Sequence, residues 1–181
     1  MKLATSISVL ASLAALPIAR ADDPPAPPDS VKPFLSADEA SAYLGTFSGA
    51  FGPPGQTLVV TYGDDQLHGF ALIPSAKAAH GYQRVALPKL SGADDVIPSL
   101  GVHQALVANL DKQAGDELVL QYTVLHQAKL PAYVVLHWNG RAFVRSSALE
   151  HKLDRAIDAN GEKVLSDDQL RAALGVAKAK P

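Results

Sequence analysis

Residues able to hold a cation or move a proton are scattered along this sequence, and one string gathers them. Asn109-Leu110-Asp111-Lys112-Gln113-Ala114-Gly115-Asp116-Glu117-Leu118 carries side-chain oxygen at alternate positions. In a tightly curled loop such side chains converge on one point, which is what a hard cation such as calcium requires. Asp111 and Glu117 would bring charge, Asn109 and Gln113 neutral oxygen. A plain acidic loop between two strands accounts for the same residues.

This string resembles the loop of the FG-GAP or VCBS-type repeat, the blade unit of integrin-like propellers, with its pattern D-x-[DN]-x-D-G-x-x-D-L. The likeness runs from Val107 to Val144 through Leu118-Val119-Leu120, Tyr133-Val134-Val135-Leu136 and Trp138-Asn139-Gly140-Arg141-Ala142-Phe143. It implies that Asn109, Asp111, Gln113 and Glu117 are the ligands of a weak calcium site. This chain departs from the pattern where Gln113 replaces an acid, Asn109 is neutral, and Ala114 replaces the glycine that permits the sharp bend. A second string, Asp158 to Gln169, resembles an EF-hand calcium loop. There Lys163 replaces the invariant glycine and Gln169 the closing glutamate. A joint between two capped helices explains it as well, and that joint is the expectation.

Other chemistry has no local signature, and no catalytic residue is assigned. His68, His80, His103, His126, His137 and His151 form neither H-x-H nor H-E-x-x-H, so no zinc motif can be read. His126 and His137 flank adjacent predicted strands and are expected to meet as a cross-strand pair. There is no G-x-S-x-G, and Gly52-Pro53-Pro54-Gly55 lacks the lysine and helix of a phosphate loop. The chain has no cysteine, hence no thiol nucleophile, disulfide or Cys-ligated metal. Trp138 beside Asn139-Gly140 could anchor a partner or a glycan; packing under the C-terminal helices is the expectation.

The elements that must position these residues are mainly strands. Ser36-Ala37-Asp38-Glu39 reads as a capping box opening a short helix, Ala37 to Leu44, and Thr46 to Gln56 reads as a loop. Strands are predicted at Thr57–Tyr62, Leu67–Ile73, Tyr82–Leu87, His103–Leu110, Glu117–Leu125, Ala132–Trp138 and Ala142–Ser146, with Asn139-Gly140 as a hairpin turn. Three pairs of segments recur in the same order: 57–62 with 117–122, 70–73 with 133–136, and 82–85 with 143–146. Two successive meanders would give this pattern. Leu149, Leu153 and Ile157 form one helical stripe, and Ser166-Asp167-Asp168-Gln169 caps a last helix ending at Gly175. The expected fold is α+β and mainly antiparallel β: two blade-like meanders, a short N-terminal helix and a C-terminal helical hairpin. Two blades cannot close a propeller, so a twisted sheet, a sandwich or a partial barrel is expected.

The N-terminus bears on location. Met1-Lys2, the uncharged run Leu3 to Leu16 and Ala19-Arg20-Ala21 have the layout of a cleavable secretory signal, and that run is too short to span a bilayer. The expected division is a signal peptide at 1–21, a Pro-rich tether at 22–35, a β-rich domain at 36–146 and a helical segment at 147–181. Removing residues 1–21 takes away two cations and no acid, so the net charge moves from −2 to −4. That mild acidity offers no electrostatic case for nucleic acid or anionic lipid. The mature chain, with no transmembrane segment, is expected to be periplasmic or secreted. Its expected role is a non-catalytic binding domain of the envelope with a protein or envelope partner; an inhibitor of a wall-degrading enzyme, presenting Thr46–Gln56, and an unrecognised enzyme are the alternatives. Intact-mass measurement on exported protein should find Asp22 as the first residue; retention of residues 1–16 would refute cleavage.

Overall fold

The runs Thr57–Tyr62 and Glu117–Tyr122 each have one wholly apolar or aromatic face and one on which Val59 or Val119 stands between polar residues; Thr57, Thr61, Glu117 and Gln121 are nevertheless buried, so both sheets are covered on both sides. The computed structural model describes residues 25–63, 66–92, 102–110, 114–125 and 129–176. Strands β1 (Tyr43–Gly49), β2 (Thr57–Tyr62), β3 (His68–Pro74) and β4 (Tyr82–Ala86) form one antiparallel meander in sequence order. Strands β5 (Val102–Ala108), β6 (Glu117–Leu125), β7 (Lys129–Trp138) and β8 (Phe143–Arg145) form a second. Helix α1 (Ala37–Ser41) precedes the first sheet, and α2 (Ser147–Ala159) and α3 (Asp167–Leu174) follow the second. The fold is α+β and mainly antiparallel sheet.

The two meanders share a register. Phe47 faces Val59 and Val59 faces Ala71 in the first; Leu106 faces Val119 and Val119 faces Val135 in the second. Both carry an irregularity at the same place, between Tyr43 and Gly45 and between Val102 and Gln104. The matches of 57–62 with 117–122 and of 82–85 with 143–146 therefore hold. The match of 70–73 with 133–136 is one residue out, because Phe70 pairs Val60 as Val134 pairs Leu120. Apolar residues stand consecutively on β3 and β7, so the sequence likeness survives a one-residue slip that the ladder forbids.

The sheets stack face to back. Val59 and Ala71 lie in the core between them, whereas their counterparts Val119 and Val135 lie under α2 and α3. Conversely, Val60, Phe70 and Leu72 point away from the second sheet, while their counterparts Leu120, Val134 and Leu136 fill the core between. One apolar face is thus left at each end of the stack. Leu149, Leu153, Ile157, Leu170 and Leu174 of the helical pair cover one. Val31, with Phe34 and Leu35, covers the other.

That second cover corrects two expectations. The Pro-rich segment is not a solvated spacer throughout: Val31 is fully buried and Lys32–Phe34 form a turn of 3-10 helix against the sheet. Helix α1 stops at Ser41, and Tyr43–Gly49, expected as helix end and loop, is a strand. Cross-strand packing of Phe47 on Val59 outweighs the two glycines that mark this stretch as loop.

The N-terminal cover is pinned by a cation on the first sheet. Arg84, on β4, lies 3.9 Å from the Phe70 ring centroid and donates both to the Phe34 carbonyl and to the Glu39 carboxylate. Glu39 also accepts the Ser36 N–H in the capping box. The hydrogen bond from the Arg84 guanidinium, more than any other contact, pulls the Glu39 carboxyl down from 4.5 to about 2. A folded-state value below the unfolded one adds stability above the ordinary glutamate range, and that stability is lost as pH falls from 4.5 towards about 2. Glu39→Gln should cost about 1–2 kcal/mol at pH 7, kept modest by the partly exposed arginine, and should flatten the acid limb of the stability curve. Denaturant melts at pH 7 and at about pH 3 check this; an unchanged acid limb would refute it.

Candidate functional site

The β1–β2 and β5–β6 loops and the β7–β8 turn lie at one end of the stack, where antiparallel topology brings them together with the adjoining ends of β3 and β4. Residues 50–56 are anchored by two buried side chains, Phe51 and Pro53, while Pro54, Gly55 and Gln56 are exposed. Phe51 is fully buried, and the Asp116 N–H donates to the Ala50 carbonyl at 2.9 Å, tying the two halves of the chain together. Gly52 and Gly115 permit this close approach. Both have positive φ, +117° and +108°; a Cβ on Gly52 would come within 2.8 Å of Trp138 Cδ1, and one on Gly115 within 3.1 Å of the Phe51 backbone. The expectation that Thr46–Gln56 is loop throughout is therefore corrected: its first part, to Gly49, is β1.

Between these segments opens a cleft of about 910 Å³. Pro53 and Pro54, Gln83 and Val85 of β4, and Trp138, Asn139 and Arg141 are among the residues that line it. Trp138 does not lie under the helices, as expected, but in the inter-sheet core, edge to face with Phe143 at 5.2 Å. It follows from the alternation of β7: Val134, Leu136 and Trp138 share the inter-sheet face. Asn139 Oδ1 accepts the Arg141 and Ala142 N–H groups and holds the hairpin turn. Among the described residues, the side chains of Gln83, Asp116, His137 and Arg141 and the Trp138 indole N–H make no hydrogen bond or ion pair.

The four residues of the implied calcium site are not seen as one group. Asp111 and Gln113 lie outside the described residues. Asn109 is exposed and donates its amide to the Gly115 carbonyl at 2.8 Å, one of the oxygens a cation in the loop would use. Glu117 is buried and its carboxylate accepts the Leu110 N–H. Asn109 and Glu117 thus each make a hydrogen bond between the described ends of the loop.

The EF-hand-like string is the helix joint. Asn160 donates to the Lys163 and Val164 carbonyls and accepts from Gln169 at 2.9 Å, so the oxygens of Asn160 and Val164 are engaged within the turn. Ser166 and Gln169 cap α3 as expected, and Gly175 ends it in the left-handed region. His126 lies outside the described residues, and so does its expected pairing with His137; His137 itself pairs Val144 on β8. The cleft itself was missed as a site. Its signals were present singly, in Trp138, Gly52 and Arg141, but their convergence depends on how the two sheets stack.

Glu117→Gln keeps the shape but weakens the acceptor for Leu110, and should cost about 1–2 kcal/mol with no calcium present. Melting of wild type, Glu117→Gln and Asp111→Ala with and without millimolar calcium separates the two readings of the loop. We expect wild type to be indifferent to calcium; a calcium stabilisation abolished by Asp111→Ala would assign the loop a ligand role instead.

Comparison of the chain with protein-family models, with curated proteins and with solved structures finds no match, so any reading of function stands on the geometry above.

Proposed function

We propose that this chain is an exported, non-catalytic binding domain of the cell envelope, and that it binds through the cleft at the loop end of the stack. The observation that carries the reading is the combination of a half-buried indole with several unpartnered polar side chains on a rim whose backbone is fixed. Unpartnered groups of this kind are satisfied by water in the free protein and by a ligand in a complex. Export rests on the N-terminal pattern of the sequence.

Acid–base chemistry has less support. Asp116, Glu117 and His137 all line the cleft, but the Glu117 carboxylate is engaged by the Leu110 N–H. No described carboxylate is hydrogen-bonded to His137 to orient it as a base. The inhibitor reading has less support, since the first part of Thr46–Gln56 is strand β1 and Phe51 and Gly52 pack against Gly115 and Trp138.

The mature protein should co-sediment with envelope material from the producing cell. Arg141→Ala and Gln83→Ala alter exposed side chains, so each should weaken that association about tenfold, near 1.4 kcal/mol, without changing the melting temperature. Absence of association, or release of soluble products from the envelope material, would overturn the reading.

A further inference from the structure

We propose that the ligand of this cleft is an oligosaccharide, one of whose pyranose rings stacks on Trp138 while its hydroxyls are taken by Gln83, Arg141 and Asp116. The inference rests on the cleft being the binding site and adds the class of ligand.

Three properties of the lining favour a sugar. An indole offers a flat face of negative partial charge, to which the C–H face of a pyranose, apolar and weakly positive, is complementary. The amide of Gln83, the guanidinium of Arg141 and the carboxylate of Asp116 are planar and present paired donors or acceptors, which match the spacing of neighbouring hydroxyls. All three are without a protein partner among the described residues. The charges of Arg141 and Asp116 also offset each other, so a polyanion gains little here. An apolar ligand would strip water from those groups and leave them unpaired, at a cost.

Rigidity supports the same assignment. Gly52 fixes the loop against the indole, and Asn139 fixes the turn that carries Arg141. A polar ligand that gains little from burial depends on donors already in place. The competing occupant is an extended peptide added to the edge of β4. Gly81 and Leu87 bond inward to Ser75 and Gly69, so Tyr82, Arg84 and Ala86 turn their backbone groups outward. That edge is short and Arg84 is clamped to Phe34 and Glu39, which blunts it for strand addition.

Trp138 is the single tryptophan of the chain, so its emission reports the cleft directly. Envelope material is divided into glycan strands freed of peptide and lipid, a peptide fraction and a lipid fraction. Each is titrated into the full mature protein while emission is followed. The glycan strands should give a saturable change in Trp138 emission, and Arg141→Ala and Gln83→Ala should each shift its midpoint about tenfold at unchanged melting temperature. Gly52→Ala, which displaces the indole, should abolish the change. A response to the peptide or lipid fraction alone, with whole envelope material still bound, overturns the sugar assignment and leaves the binding function standing. Failure of whole envelope material to bind overturns both.

Discussion

Strands buried on both faces organise this molecule. A sheet with one wet face can rest on a single partner, but β2, β3, β6 and β7 carry buried side chains on both sides, so each sheet must be sandwiched. Two such sheets cover one face of each other and leave two faces bare. Because the repeat is stacked face to back, the bare faces are not equivalent: one presents Val60, Phe70 and Leu72, the other Val119, Tyr133 and Val135. Different segments therefore cover them, a proline-rich strap with a short helix on one side and a helical pair on the other. This is the logic of capped repeat stacks, reduced to two units.

The covers are secured at β4 and β8 by residues in corresponding positions. Arg84 and Arg145 face Leu72 and Leu136, which occupy the same place in their respective ladders. Each arginine pairs with a glutamate on a neighbouring helix, Glu39 or Glu150, and each donates to a carbonyl of the layer before it, Phe34 or Lys89. A guanidinium suits this position because its planar fork bonds a carboxylate and a carbonyl at once. The equivalence persists although one helix precedes its sheet and the other follows it. It is the arginine on the strand, and not the order of the chain, that recurs.

Stacking also creates the cleft. Meanders in one register place their loops at one end, and the β1–β2 loop falls against its counterpart, the β5–β6 loop, where Asp116 bonds Ala50. Tight contact there, through Gly52 and Gly115, sets Trp138 at a fixed wall. Gln83 and Val85 line the same cleft, and their side chains face the second sheet by the alternation of β4. The rim is thus rigid because it is part of the inter-sheet contact, and the unpartnered polar groups on it lie where the contact ends.

Much of this was legible in the residues themselves. Local rules dictated β2 and β6, the two capping boxes, the Asn139-Gly140 turn, the stripe of α2 and the αL glycine after α3, because each depends on side chains within a few residues of one another. Duplication of the meander was visible too, apart from a one-residue slip that consecutive apolar residues conceal. Long-range pairing decided the rest. Tyr43–Gly49 became a strand because β2 offered an edge, and the strap docked because the first sheet had a bare face that Val31 could fill. Trp138 went to the inter-sheet core instead of the helices because the stacking assigned that face of β7 to the first sheet. A sequence states which side chains alternate; which face meets which neighbour depends on the direction of stacking, and no spacing along the chain encodes that direction.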